Sequence, residues 1–327
     1  MTTAEPDLPR PLAGAPPTSP LSTGPLPTAS ARTLRGRLVP VTALLAAVRP
    51  RQWLKNALVI GAPIAAGREL EPAVMRTTAI AFVAFCLAAS GAYLLNDVHD
   101  AVEDRLHPVK RHRPVASGDL GVRSALVASA LLGLACVAVA RLASTTFVAL
   151  VVAYLVVTVS YTMRLRNEPI LDLVAVALGF VLRGAAGGVA AGIPISSWFL
   201  VVAGFGALFL VSGKRYSELV SRSDVVGRRA ALATYSPSFL RFVWTTAATV
   251  TVTAYALWAS EVYLVRDEGS WALWSLVPFL LALLRYALEV DRGATEAPEE
   301  VLLGSRLLQV LGLAWIVMLV VGAGGTD

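Results

Sequence analysis

The chain has 327 residues, of which 56% are hydrophobic and 15% charged, and its mean hydropathy is +0.66. A soluble domain of this length needs a far more charged surface, so the composition excludes an ordinary globular protein and indicates a polytopic membrane protein. The net charge of +6 is scattered over short polar segments between apolar runs, which makes it a topology signal and not a nucleic-acid footprint.

Residues 1–40 are rich in Pro, Ser, Thr, Ala and Gly and lack the continuous apolar stretch of a secretory signal. They are expected to form a disordered cytoplasmic tail ending in a basic patch at Arg32, Arg35 and Arg37, ahead of a membrane domain over 41–327. A hydrocarbon core about 30 Å thick takes roughly 20 apolar residues per helix. Nine segments qualify, at 45–66, 74–95, 122–142, 145–163, 170–191, 196–213, 239–262, 271–288 and 303–322. The fold class is therefore all-α, a polytopic bundle of about nine transmembrane helices. The first span is the weakest, because Arg49, Arg51 and Lys55 occupy its early turns; it reads as an interfacial helix that then dips into the bilayer. Cys86 and Cys136 each lie inside an apolar run with no CxxC, so neither a disulfide nor a thiolate metal site is expected.

Basic residues alternate along these spans. With a cytoplasmic N-terminus the inner loops hold Arg105, Lys110, Arg111, Arg113, Arg164, Arg166, Lys214, Arg215, Arg222, Arg228, Arg229, Arg241, Arg285, Arg292 and Arg306. The outer loops hold Arg68, Arg76, Arg141 and Arg266. This asymmetry predicts N-in and C-out. It also places three polar clusters on one face: "NDVHDAVEDRLHPVKRHRPVASG" after span 2, "YTMRLRNEPILD" after span 4 and "SGKRYSELVSRSD" after span 6. Three such clusters at one membrane face suggest a single site facing the cytosol.

If span 2 continues as helix, Asp97, Asp100 and Asp104 lie at i, i+3 and i+7 on one face, with Asn96 beside them. Carboxylates that close repel one another unless a cation sits between them, and hard oxygen ligands suit Mg2+ bridging to a phosphate. A solvated helix end would explain one Asp more simply than three. His99, His107 and His112 raise zinc, but the oxygen ligands around them favour a harder ion. Lys110, Arg111, Arg113, Lys214 and Arg215 are the donors a phosphate or diphosphate needs. Arg222, Arg228, Arg229 and Arg292 are explained by positive-inside charge alone. Lys214 and Glu218, at i and i+4, fit a structural ion pair as well as a ligand contact. Arg183 is a charge inside a predicted span, and such a residue usually faces a polar cavity. Gly184, Gly187 and Gly188 after it allow close helix packing or a break, and Trp53 fits an interfacial anchor. No Ser-His-Asp or Cys-His pattern and no GxxxxGK[ST] loop is visible, so a metal-bound diphosphate fits better than a covalent intermediate.

"NDVHDAVEDRLHP" resembles the NDxxDxxxD signature of the UbiA superfamily of intramembrane prenyltransferases, and "YTMRLRNEPILDL" resembles its YxxxxKxxxxxxD element. Tyr161 and Asp172 match, and Arg166 stands where Lys is usual. The resemblance covers roughly residues 45 to 322. "RPRQWLKN", "HPVKRHRPVASG" and "GKRYSEL" are similar to one branch, which moves 5-phosphoribose from PRPP to a polyprenyl (decaprenyl) phosphate for cell-wall arabinan. The resemblance implies that Asn96, Asp97, Asp100 and Asp104 hold Mg2+ on the donor diphosphate. It further implies that Lys55, Lys110, Arg113, Lys214 and Arg215 meet phosphates, and that Tyr161, Arg166, Asp172 and Glu218 complete the pocket. Ordinary members carry a second Asp-rich motif after span 6; the "KRYSEL" found there suits a donor with an additional phosphate. A plasma-membrane setting among lipids is implied, a homo-oligomer is compatible with it, and no nucleic-acid partner is expected. The rivals are transfer of a prenyl group to an aromatic acceptor and, from another class, a transporter. Transport predicts polar residues at mid-bilayer depth on several helices, whereas here they collect at one face.

Overall fold

The computed structural model describes residues 41–220, 230–266, 271–295 and 298–323. The proposed tail, with Arg32, Arg35 and Arg37, and the charges at Arg222, Arg228 and Arg229 lie outside these. Among the described residues the chain is helical throughout, with no strand. In order it forms α1 (Val41–Val48), a 3-10 helix over Pro50–Ile60, α2 (Gly61–Ala66), α3 (Pro72–His99), α4 (Ala101–Leu106), a 3-10 turn over Lys110–His112 and α5 (Pro114–Ser117). Then come α6 (Val122–Ala140), α7 (Thr145–Met163), a 3-10 turn over Leu165–Asn167, α8 (Leu171–Ala191), α9 (Ser197–Val220), α10 (Ala230–Thr234), α11 (Pro237–Arg266), α12 (Trp271–Trp274), α13 (Leu276–Asp291), α14 (Pro298–Gly304) and α15 (Arg306–Ala323).

Seven helices among the described residues are long and apolar enough to cross a bilayer. They match seven of the nine expected spans. The other two differ in form. Span 303–322 corresponds to α15, whose apolar part is shorter, Arg306–Val321. Span 45–66 is not one α-helix: α1 stops at Val48, Arg49 adopts a left-handed conformation (φ 53°, ψ 64°), and Pro50 opens the 3-10 helix. The residue before a proline is driven out of the right-handed helical region, which is why the apolar run breaks there.

α3 and α8 form the interior: 61% of the apolar stretch of α3 and 56% of that of α8 are buried, against 11% for α6. α3 packs along α6, α7 and α8, while α9 packs along α8 and α11. One apolar cluster joins Phe85, Phe147, Val151 and Tyr154 between α3, α7 and α8. Another joins Leu173, Phe209, Tyr216, Trp244 and Tyr286 between α8, α9, α11 and α13. Two boundaries matter for the site. Ser144 caps α7 by accepting the Phe147 N–H at 3.1 Å, which sets where α7 starts. α9 runs on to Val220, beyond the expected 213, so Lys214, Arg215 and Glu218 lie on a helix and not in a loop.

Candidate active site

α3 ends at His99, and Asp100 turns the chain into α4 at φ −90°, ψ 1°. Helical bonding nevertheless carries across the junction. The Asp100 N–H donates to the Asn96 carbonyl at 2.9 Å and the Asp104 N–H to the Asp100 carbonyl at 2.8 Å. Asp97 and Asp104, seven positions apart, therefore turn the same way, and both are buried, 1% and 3% exposed. Arg113, which leads into α5, places Nη1 2.7 Å from Asp104 Oδ2 and 3.4 Å from Asp97 Oδ1. Arg49 bonds the same Asp97 oxygen and stacks over Tyr93 at 5.1 Å. Asp100 turns instead to Arg166.

Of the four residues expected to hold the ion, Asp97 and Asp104 share Arg113, while Asp100 meets Arg166 and Asn96 meets Thr162. Among the described residues no three His, Cys, Asp or Glu side chains group as a ready-made metal site. Each acid is met by a guanidinium group, and the Asn96 side-chain Oδ1 accepts from the Thr162 hydroxyl. The physical reason is that the field drawing a metal to these carboxylates draws arginine as well. His107 is a brace for this loop: its Nδ1 accepts the backbone N–H groups of Val109 at 3.2 Å and Lys110 at 3.3 Å. Partial burial, and then the Lys110 charge, hold its imidazole below the usual pKa, so it remains an acceptor at neutral pH.

The second and third clusters meet at the start of α8. Asp172, in the first turn of α8 and 1% exposed, accepts from Arg215 Nε at 2.8 Å and from the Tyr235 hydroxyl. The Tyr235 oxygen in turn accepts the Ile170 N–H at 2.7 Å, and Ile170 holds a positive φ of 67°. Burial and the carboxylate beside it raise the Tyr235 pKa, so the hydroxyl keeps its proton and donates to Asp172. Arg215 is only 3% exposed. Its Nη1 reaches Glu218 at 2.8 Å and its Nη2 the Tyr161 hydroxyl at 3.2 Å. Lys214, more exposed, lies 3.9 Å from Glu218.

Two neighbours on α7 join everything: Thr162 reaches Asn96 of α3, and Tyr161 reaches Arg215 of α9. The ends of α3, α7 and α9 thus build one site. It contains Asn96, Asp97, Asp100, Asp104, Arg113, Tyr161, Arg166, Asp172, Lys214, Arg215 and Glu218 from the sequence expectation. It adds Arg49, Thr162 and Tyr235, which sequence reasoning missed. Arg49 was visible only as a charge weakening a span, while Thr162 and Tyr235 carry no local signal beyond their polarity. Lys110 sits exposed on the neighbouring 3-10 turn. Lys55 is half-buried on the 3-10 helix over Pro50–Ile60. Arg183 is not part of this cluster. It lies eleven positions beyond Asp172, about 16 Å along α8 at 1.5 Å per residue, and bonds Asn56 and Tyr154.

Carboxylates and guanidinium groups gathered at the ends of apolar helices are what an enzyme working on phosphorylated lipid at a membrane face requires. Residues 56–308 match the UbiA prenyltransferase family, and the chain belongs to that family of multi-pass membrane transferases. The decaprenyl-phosphate phosphoribosyltransferase of Mycolicibacterium smegmatis is 43% identical over 288 residues, spanning 84% of this chain and 91% of that protein. The protein of the same name from Corynebacterium glutamicum is 44% identical over 287 residues, spanning 85% of each. A solved UbiA homolog from Archaeoglobus fulgidus, bound to DMAPP and Mg2+, has a TM-score of 0.67 over 87% of this chain and 100% of its own, at 17% identity. That likeness establishes the fold.

Proposed function

We propose that this protein transfers the 5-phosphoribosyl group of PRPP to a polyprenyl (decaprenyl) phosphate, releasing diphosphate, in a Mg2+-dependent reaction at the cytoplasmic face of the plasma membrane. Its product would serve cell-wall arabinan synthesis. The observation that carries this reading is the end of α9, where Lys214, Arg215 and Glu218 occupy the place at which a prenyl-diphosphate enzyme of the family would carry a second acidic motif. Cations there suit a donor with a further phosphate at C5. The two relatives described above, similar over more than four fifths of their length, bear the name of this activity.

The residues fit a divalent ion. Asp97 and Asp104 offer hard oxygens to a single Arg113 nitrogen, and Asp97 Oδ2 is buried with no hydrogen-bond partner among the described residues. Such an orphaned oxygen is costly unless a cation or donor reaches it. Asp97 and Asp104 would hold the ion, with Asn96 and Asp100 beside them. Bound there, it would neutralise charge developing on the leaving diphosphate. The protein's own groups supply the rest. Arg113 and Arg166 provide preorganised positive charge where the diphosphate departs with the electron pair of the C1–O bond, and Lys214 meets the phosphate at C5. A lipid phosphate oxygen forms the new bond to C1. The acceptor is already an anion at pH 7, so no general base is required. Asp172 accordingly needs no free basic oxygen: both of its oxygens are engaged, by Arg215 and by Tyr235.

The test is incubation of the purified protein with labelled PRPP, polyprenyl phosphate and Mg2+. A lipid-linked phosphoribosyl product is expected. Consumption of a prenyl diphosphate with an aromatic acceptor, with PRPP ignored, would overturn the reading in favour of ordinary prenyl transfer.

A further inference from the structure

The segment Pro50–Ile60 stays in 3-10 form for 11 residues, although such winding rarely lasts beyond three or four. At three residues per turn, side chains three apart stand over one another, and from Arg51 onward the inward and outward faces follow that period. Trp53, Asn56 and Val59 are half-buried, buried and buried. Arg51, Leu54, Ala57 and Ile60 are all exposed, and on the third face Gln52 and Lys55 are half-buried while Leu58 is exposed. Each residue of the inward stripe is fastened. The Trp53 indole donates to Ser90 Oγ at 3.0 Å. The Val59 carbonyl lies so near Gly187 that a Cβ there would come within 2.2 Å of it. The Asn56 carbonyl oxygen accepts from Arg183 Nε at 2.9 Å, and its amide nitrogen donates to Cys86 Sγ at 3.2 Å.

Arg183 itself is 7% exposed in the middle of α8. Its other contacts are the Tyr154 hydroxyl at 2.9 Å and the faces of Tyr154 and Phe180 at 5.4 and 5.3 Å. A charge at such depth is expensive and marks function by default, yet these contacts are protein groups far along α8 from the acids. We propose that Arg183 is a positioning residue: through Asn56 it locks the 3-10 winding of Pro50–Ile60 and so aims Lys55 at the phosphate groups of the donor. The geometry explains why the lock matters. In an α-helix, residues three apart drift about 60° around the axis relative to 3-10 winding. Over the six positions from Arg49, held on Asp97, to Lys55, the drift is about 120°, which carries Lys55 from the face it shares with Gln52 onto the exposed face of Leu54, Ala57 and Ile60.

The binding role of Lys55 rests on the proposed function, but its orientation is measurable without turnover. Lys55→Cys in the full-length protein in nanodiscs is expected to react with a water-soluble maleimide, and PRPP to protect it; Leu54→Cys reacts only with a lipid-soluble reagent. The buried Cys86 and Cys136 give a low background, read from the unsubstituted parent. Adding Asn56→Ala, which leaves Arg183 its Tyr154 bond, should cut water-soluble labelling at position 55 about fivefold and raise lipid-soluble labelling. Arg183→Gln, made separately, should do the same. In the Asn56→Ala protein with Lys55 intact, KM for PRPP should rise about tenfold and kcat fall less than about threefold, the mark of lost ground-state binding. Unchanged labelling at position 55 in the folded variants, with only a lower melting temperature, would make Arg183 a mere fastener and overturn the proposal. So would lipid-facing labelling at position 55 in the parent. No turnover of PRPP by the wild-type protein would sink the functional reading alone, because the labelling result stands apart from it.

Discussion

At the scale of single residues, charge in this protein is arranged by pairing across long sequence separations. Asp97 meets Arg49, Asp100 meets Arg166, and Asp172 meets Arg215. Asp97 is the most sensitive to substitution, because it is buried and one oxygen has no partner among the described residues. Asp97→Asn is expected to lower kcat/KM by about a hundredfold or more, as loss of a group acting on transition-state charge does. It should also raise the Mg2+ concentration for half-maximal activity; both are read from a metal titration of initial rates, with a melting curve to show retained fold. Tyr235→Phe keeps the ring stacked on Phe239 at 5.7 Å but removes the donor to Asp172 and the acceptor of the Ile170 N–H. Leaving the buried Asp172 without that donor costs about 1–3 kcal/mol, so the variant should melt at a lower temperature and lose activity through a misplaced Arg215. Of these residues the acids and Arg166 were legible as motif positions. Tyr235 was not, because its partners lie 63 and 65 positions away and nothing local ties it to them.

Elements were legible wherever their ends carry punctuation. The span expected at 170–191 is observed as Leu171–Ala191: Pro169 precedes it, and Gly192 closes it with a left-handed φ of 69°, a conformation glycine adopts without a Cβ penalty. α9 ends beyond the expected 213 because the apolar run stops at Ser212, whereas the helix continues through charged residues to Val220. What holds that extension is the turn after α13. Thr295 Oγ1 lies 2.7 Å from Ser217 Oγ, and the Thr295 N–H donates to Ser217 Oγ at 3.1 Å, with both residues fully buried. Ser217→Ala should therefore destabilise the protein by about 1–3 kcal/mol, seen as a lower melting temperature in detergent. The 3-10 helix escaped notice for a related reason: its period of three is neither the helical nor the strand period by which apolar runs are recognised.

Orientation in the membrane and the divalent ion belong to the molecule as a whole. An N-in arrangement predicts that cysteines introduced at the exposed Glu103 or Lys110 react with an impermeant maleimide only from the cytoplasmic side. Cysteines at the exposed Arg68 or Leu70 should react only from the opposite side. Labelling in intact cells against inverted vesicles decides it. Removal of divalent ions with a chelator should abolish transfer, and Mg2+ should restore it; full activity after exhaustive chelation would refute the metal role.

Hydropathy is additive along a window of about 20 residues, so the sequence by itself determined that this is a membrane bundle, where most of its helices lie and which helix ends collect the charge. The acidic run after α3 was likewise a local pattern, open to reading one position at a time. Which guanidinium group meets which carboxylate, how Pro50–Ile60 winds and what Arg183 touches were decided only in the tertiary structure. Those contacts join residues as far as 127 positions apart, and such a pairing exists only once packed helices have set the distance between them.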